Sequence, residues 1–109
     1  MILDCHVHVC AFSIEHGSTS RRIVDSLAFR FMGRRLGIRG FDPASEAYLA
    51  EHLARVIDQT EHLDAVVVLA FDAVHTPEGK LDELNTHLYV KNDYVIELAR
   101  KHPKMLFGA

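Results

Sequence analysis

The apolar run Ala65–Phe71 constrains the fold of this chain more than any other stretch. It holds three consecutive valines, and β-branched side chains favour an extended strand over a helix. Apolar residues occupy both alternating positions, which is typical of a strand that is covered on both faces in a parallel sheet. The residues from Asp64 to Asp72 are therefore predicted to form a central strand of an α/β protein.

Two further stretches are predicted to be strands of the same sheet. The first, Ile2–Cys10, opens the chain, and the second is the short apolar segment Met105–Ala109. Side chains alternate between the two faces of a strand, so every second residue of the first stretch shares one face. In Ile2–Cys10 that face holds the polar side chains: Asp4, His6, His8 and Cys10.

The connection after the first strand is predicted to contain two helices. The first runs from Ser20 to Leu36, with Ile23, Leu27 and Phe31 in its buried stripe. The second runs from Asp42 to Glu61, because Asp is a favoured N-cap and Pro is favoured at the first helical position. Its buried stripe is predicted to hold Leu49, Leu53, Val56 and Ile57. Its solvent-facing side is predicted to hold Glu46, Glu51, Arg55 and Asp58.

A polar loop, Ala73–Lys91, is predicted to follow the central strand, and Asn92 is predicted to cap a third helix that ends before Pro103. The order is then βαβαβ, in one domain over residues 1–109. Three strands with helices on one side would expose an apolar face, expected to include Val66 and Val68. We therefore expect either a larger protein, of which these residues are the first part, or a homo-oligomer partner on that face.

Composition narrows the class of protein. With 49% hydrophobic and 25% charged residues, the chain is predicted to be globular. Its longest apolar run falls far short of the roughly 20 residues that cross a membrane. The N-terminus lacks the basic and apolar pattern of a secretory signal, and Cys5 and Cys10 are too few for a disulfide framework. A cytoplasmic protein without a membrane partner is expected.

The charge is distributed unevenly along the sequence. Residues 1–40 hold six arginines against three carboxylates, a net +3, while residues 41–109 carry −6. A basic half could attract an anionic substrate or a nucleic acid. It could equally be the solvated face of a helix, whose arginine stems cover apolar surface. The aromatic interleaving of single-strand binders is absent, so no nucleic-acid partner is expected.

His6 and His8 are the strongest candidates for chemistry. Two imidazoles two residues apart on one strand face can present their nitrogens to a single ion, and imidazole suits zinc and neighbouring divalent metals. The alternative is a pair of polar side chains near a strand end, solvated or satisfied by neighbours. We favour a metal site.

The segment Leu3–Val9 resembles the first strand of the amidohydrolase superfamily, whose barrels open with an Asp-x-His-x-His pattern. The segment Asn92–Ala109, a helix that ends in His-Pro before a strand, resembles a second region of the amidohydrolase-related family of metal-dependent hydrolases. The resemblance implies strands one to three of a (β/α)8 barrel. Phosphoesterase and DNase-like barrels also begin with His-x-His, and the long insert and Asn92–Ala109 favour the amidohydrolase-related family.

That resemblance implies that His6 and His8 bind a divalent metal, with zinc expected. The remaining ligands and the catalytic acid are expected beyond residue 109, so this chain alone is predicted to bind metal weakly and to catalyse nothing. Asp4 could accept a hydrogen bond from an imidazole and so orient it, or have a structural role at the bottom of the barrel. Asp72, at the end of the central strand, could contact a substrate or cap the loop that follows. His75, in that loop, could also contact a substrate.

The implied activity is hydrolysis of a small ester, amide or lactone by a metal-activated water. A nonoxidative decarboxylase of the same family is a second expectation. A non-catalytic α/β module that docks a partner through its open sheet face is a third.

Overall fold

The valine run forms the central strand of a three-stranded parallel sheet in the computed structural model, which describes all residues 1–109. The strand order in this sheet is β1–β3–β5, and a second sheet pairs β2 with β4. In chain order the elements are β1 (Leu3–His8), β2 (Gly17–Thr19), α1 (Arg21–Val24), α2 (Leu27–Leu36), α3 (Pro43–Gln59), β3 (Ala65–Leu69), β4 (Leu88–Val90), α4 (Asn92–Lys101) and β5 (Met105–Gly108). The predicted α/β class and parallel βαβαβ order are confirmed. None of the helices has the length and apolar character needed to cross a bilayer.

One face of the parallel sheet forms the core. Val66 and Val68 are 1% and 0% exposed, and Met105, which pairs with Val66, is 2% exposed. The core continues into the helices, through Val95 and Leu98 of α4 and through Ala50, Ala54 and Ile57 of α3. The prediction that Val66 and Val68 would lie on an open face was wrong. Because side chains alternate in a strand, burying these two under the helices turns their neighbours to the other side.

The opposite face of the sheet stays partly open. Val67 lies there only half-buried, and Leu106, its partner on β5, is 44% exposed. Leu3 on β1 is 43% exposed. The total accessible surface is 7575 Å², whereas a compact monomer of this mass exposes about 6,100 Å². The chain thus leaves far more surface uncovered than a protein of its size needs to.

The predicted helix from Ser20 to Leu36 is two helices, because the chain restarts at Ser26. Its Oγ accepts a hydrogen bond from the Phe29 N–H at 3.2 Å and so caps α2. The restart changes the helical phase, and the predicted buried residues Leu27 and Phe31 are 84% and 64% exposed. The inward side of α2 carries Phe29, Met32 and Leu36 instead.

The start of α3 agrees with the sequence. Asp42 Oδ1 accepts from the Ser45 N–H at 2.8 Å, and Pro43 is the first helical residue. Of its predicted buried stripe, Ile57 is buried, but the other buried apolar residues are Ala50 and Ala54 in place of Leu49, Leu53 and Val56. Leu49, Leu53 and Val56 line a cavity beside the helix.

The segment predicted as a loop, Ala73–Lys91, contains strand β4, which pairs antiparallel with β2. Gly17 permits this ribbon, since its φ is 151° and a Cβ there would lie 2.0 Å from the Tyr89 carbonyl oxygen. The ribbon joins the central strand through a bridge between Phe71 and Val90. Asn92 is the first residue of α4 rather than its cap; Lys91 holds the N-cap position, without a capping side-chain hydrogen bond.

A buried carboxylate fixes the segment that follows β1. Glu46, predicted to face solvent, is 4% exposed, and its Oε2 accepts from the backbone N–H groups of Phe12 and Ser13 at 2.6 and 2.9 Å. Its other oxygen accepts from His16 Nδ1, and the His16 ring stacks on Tyr94 at 4.0 Å. Burial alone would raise the pKa of Glu46, but the hydrogen bonds from His16, Phe12 and Ser13 outweigh it and lower the pKa below its ordinary value.

Replacing Glu46 with Gln should lower the free energy of unfolding by about 2 kcal/mol, because the amide NH2 cannot accept the hydrogen bonds that the second oxygen receives. Urea denaturation at pH 7 measures the change. Glu51→Gln is the matched control on the same helix. Glu51 is solvent-exposed and pairs with Lys101 at 3.1 Å, so no measurable change is expected.

The same variant tests the pH dependence. A carboxylate whose pKa is lowered by folding stabilises the protein above its ordinary pKa of about 4.3, and that stabilisation is lost as the pH falls through the folded value. The wild-type protein should therefore lose more stability between pH 5 and pH 3 than Glu46→Gln. Equal losses in the two proteins would contradict this role of Glu46.

Candidate functional site

The imidazoles of His6 and His8 converge at the carboxyl end of β1. Their Nε2 atoms lie 3.0 Å apart, and the ring planes meet at 79°. Two nitrogens at this distance, each bonded at the usual 2.0–2.1 Å, would subtend about 94° at one zinc ion. This angle is smaller than the tetrahedral angle of about 109° that zinc sites usually have, and the same distance is that of a hydrogen bond between the two nitrogens.

The central strand orients one of these two rings. His8 Nδ1 lies 3.3 Å from the carbonyl oxygen of Leu69, which can only accept, so this nitrogen carries the proton. In the neutral ring the lone pair is then on Nε2, and the neutral imidazole is the form in which histidine binds metals. Phe71 stacks on the same ring at 4.1 Å and limits its rotation.

Strand β1, which carries His6 and His8, contains a β-bulge. Asp4 pairs with Val66 and Val7 with Val68, so two residues of β1, Cys5 and His6, lie opposite Val67 alone. A bulge leaves one residue without its ladder partner and redirects side chains. Asp4 Oδ1 accepts from the backbone N–H of His6 at 3.0 Å, so its contact is with the bulged backbone and not with an imidazole.

The bulge also corrects the predicted face of β1. Because the register shifts by one residue between Asp4 and Val7, the alternation does not continue unbroken from Asp4 to Cys10. The strand ends at His8, and Cys10 lies beyond it.

No third histidine, cysteine, aspartate or glutamate joins the imidazole pair to form a group that could hold a metal ion. The donor set of the chain is therefore two imidazoles. Without an ion, the same geometry suits a hydrogen bond from His6 Nε2–H to the free lone pair of His8 Nε2.

The other two predicted site residues lie apart from the pair. Asp72 is exposed, and its Oδ1 accepts from the Ala73 N–H at 2.8 Å, which agrees with the alternative that it caps its loop. It lines a depression with Tyr89 and Lys91 to which neither His6 nor His8 belongs. His75 is exposed and forms a bridge with Leu81. The structure records no contact of either residue with the imidazoles.

His8 also lines an apolar cavity of about 320 Å³ between the end of β1 and helices α2 and α3. Its walls are mostly hydrophobic: Val9, Phe29, Met32, Leu36, Ile38, Phe41, Leu49, Leu53 and Val56. Cys10 and Tyr94 add a thiol and a phenol. A concave, mostly apolar space with a few polar groups is typical of a small-molecule site.

Burial raises the pKa of both of these polar groups. Desolvation raises the pKa of the Cys10 thiol. Desolvation, with the nearby negative charges of Glu46 and Glu97, raises the pKa of Tyr94 well above its ordinary value. Both groups are therefore neutral at physiological pH, and little of Cys10 is present as the nucleophilic thiolate.

Sequence reasoning missed the cluster of Glu46, His16 and Tyr94. These residues come from α3, the loop after β1 and α4, and no local spacing connects them. The only available signal was a carboxylate in the first turn of a helix, which ordinarily faces solvent.

Neither a protein-family model, nor a curated protein, nor a solved structure matches this chain.

The two cysteines should differ in reactivity. Cys5 is exposed, whereas Cys10 is partly buried and its pKa is raised, so less of it is present as the reactive thiolate. A thiol reagent at pH 8 should label the native protein in a fast and a slow phase. Cys5→Ser should abolish the fast phase and Cys10→Ser the slow one. A single phase that both variants halve would contradict the burial of Cys10.

Proposed function

We propose that this chain is part of a metal-dependent hydrolase of the amidohydrolase type, in which His6 and His8 are two of the ligands of a divalent ion, zinc. The single observation that carries the proposal is the 3.0 Å separation of their Nε2 atoms. The resemblance of Leu3–Val9 to the first strand of that superfamily supports it. The ion would activate a water molecule and polarise the carbonyl of a small ester, amide or lactone.

The chain's own residues have defined parts in this proposal. The Leu69 carbonyl holds the proton of His8 on Nδ1 and so keeps Nε2 available. Asp4 stabilises the bulge that carries His6. Two imidazoles are fewer than the three protein ligands of catalytic zinc sites, so the proposal requires further ligands from outside residues 1–109.

The sheet supports a barrel as the setting. Strands β1, β3 and β5 are parallel and adjacent in the order of the sequence, as the first three strands of a (β/α)8 barrel would be. The imidazoles lie at the carboxyl end of β1, the end where barrel active sites form. The half-exposed Leu3 and Leu106 would then face the barrel interior, where side chains from further strands would cover them.

The open sheet face favours a second candidate from another class. A non-catalytic α/β module could use Leu3, Val67 and Leu106 to dock a protein partner, since apolar patches of this kind mark interfaces. Such a module would have no need of convergent imidazoles. For this reason we place the hydrolase first.

The products of the reaction distinguish hydrolysis from decarboxylation. Once the remaining ligands are supplied, the zinc-loaded protein is expected to release acid from a panel of esters, amides and lactones, whereas a decarboxylase would release CO2 from aromatic carboxylates. If only the aromatic carboxylates are turned over, the protein is a decarboxylase and the hydrolase proposal is wrong.

Zinc should bind to the chain weakly and through both imidazoles. His6→Asn and His8→Asn should each lower the affinity by about tenfold or more, because each removes a ligand. Isothermal titration with Zn²⁺ in chelator-free buffer measures this. His62→Asn is the matched control, since His62 is exposed with a φ of 65°, a conformation that Asn tolerates.

The control should bind zinc like the wild-type protein. If all three variants bind equally well, or if the wild-type chain binds no zinc, the imidazole pair is a hydrogen bond and not a metal site.

A further inference from the structure

The phenol of Tyr94 is a buried polar group without a partner. The residue is 5% exposed, and its ring stacks on His16 at 4.0 Å. Its hydroxyl forms no hydrogen bond, whereas the hydroxyl of Tyr48 donates to the Leu36 carbonyl at 3.1 Å. Because buried polar groups nearly always have a hydrogen-bond partner, the Tyr94 hydroxyl lacks one that a bound molecule could supply.

Tyr94 lines the apolar cavity between β1, α2 and α3. It does not line the depression around Asp72 or the one around Arg34. The fully enclosed side-chain atoms that lack a partner are Thr76 Oγ1 and His102 Nε2, and the Tyr94 oxygen is not among them. This oxygen is therefore accessible, and the concavity that its side chain lines is the apolar one.

The apolar cavity is large enough for a substituted aromatic ring. A dry cavity of about 150 Å³ in another protein holds benzene, and this one measures about 320 Å³. The rings of Phe29 and Phe41 lie 4.9 Å apart in its wall, which also contains Met32. Aromatic rings and a methionine sulfur make favourable contacts with a further ring, in addition to the burial of its apolar area.

The wall of the cavity disfavours a charged occupant. It contains no Asp, Glu, Lys or Arg side chain, so a buried charge would have no ion-pair partner. The carboxylates of Glu46 and Glu97 lie near Tyr94 and would repel an anion beside its hydroxyl. Desolvation and these two carboxylates raise the pKa of Tyr94, so the phenol stays protonated and can donate a hydrogen bond.

We propose that the apolar cavity binds an uncharged aromatic molecule that carries a hydrogen-bond acceptor, such as an aryl carbonyl compound. Its ring lies among the apolar side chains, and its acceptor receives a hydrogen bond from the Tyr94 hydroxyl. The unpartnered phenol selects this occupant over a hydrocarbon, and the uncharged wall selects it over an aromatic carboxylate. The proposal does not depend on metal binding by His6 and His8.

The test is an NMR titration of the metal-free chain with acetophenone at pH 8, in the presence of a chelator. Saturable binding with a dissociation constant on the order of 1 mM is expected for a ligand of this size. The amide signals of Ala50 and Tyr94, which lie in the cavity wall, should shift. Benzoate, which has the same ring and a negative charge, should not bind detectably at the same concentrations.

Two tyrosine variants locate the hydrogen bond. Tyr94→Phe should fold, because it keeps the ring that stacks on His16 and removes a hydroxyl that has no partner in the protein. It should weaken acetophenone binding by about tenfold, the effect of losing one hydrogen bond. Tyr89→Phe is the matched control, since Tyr89 lies in β4 and does not line the cavity. Its affinity for acetophenone should equal that of the wild-type protein.

Ethylbenzene separates the hydrogen bond from the packing, because it has nearly the shape of acetophenone and no acceptor. Its binding, followed up to its solubility limit, should not be weakened in Tyr94→Phe. Leu49→Trp should weaken the binding of both ligands, since Leu49 is a half-buried residue of the cavity wall and a larger side chain would fill the space. Circular dichroism checks the fold of each variant.

Several results would overturn the proposal. They are no saturable binding of acetophenone, equal effects of Tyr94→Phe and Tyr89→Phe, or equal weakening of acetophenone and ethylbenzene binding by Tyr94→Phe. Binding of benzoate as tight as that of acetophenone would show that the cavity accepts an anion, and the uncharged class of ligand would then be wrong. Shifts confined to Met32 and Val56, which are 49% and 46% exposed, would show adsorption to the surface and contradict a site inside the cavity.

Discussion

The structure depends on the two-sided pairing of β3. This strand hydrogen-bonds to β1 on one edge and to β5 on the other, and its two buried valines anchor the helices on one face. The same pairing fixes the position of Leu69 beside His8. A shift of one residue between β1 and β3 would exchange the two faces of β1 and remove the carbonyl that orients His8. The core and the candidate site therefore both depend on the register between β1 and β3.

Much of the fold could be predicted because its signals are local. Three consecutive valines specify a strand, and Asp42-Pro43 specifies a helix start, whatever the rest of the chain does. The two-stranded ribbon could not be predicted in this way, since β2 and β4 are about 70 residues apart and each has three residues. The prediction of the buried stripe of α2 was wrong for another reason. Ser26 begins a new helix, and the four-residue spacing that was counted across it belongs to no continuous helix.

The candidate site, too, could be predicted only where its signals are local. The His-x-His spacing predicted a pair of converging imidazoles, because alternation in a strand is a local rule. The bulge at Cys5 and His6, and the Leu69 carbonyl, arise from a strand about 60 residues away. Glu46 shows the limit most clearly. A charged residue in the first turn of a helix ordinarily faces solvent, and only the folded loop after β1 supplies the donors that make its burial favourable.

The order in which we propose the hydrolase and the docking module rests on two features of the molecule. In the proposed metal site the imidazole pair would need further ligands before a zinc ion could be catalytic, and the face of Val67 and Leu106 is partly open. Additional parallel strands would meet both requirements at once, because their carboxyl ends lie at the same end of the sheet as His8 and their side chains cover its open face. A docked partner would cover the face and leave the imidazoles with only the hydrogen bond between them.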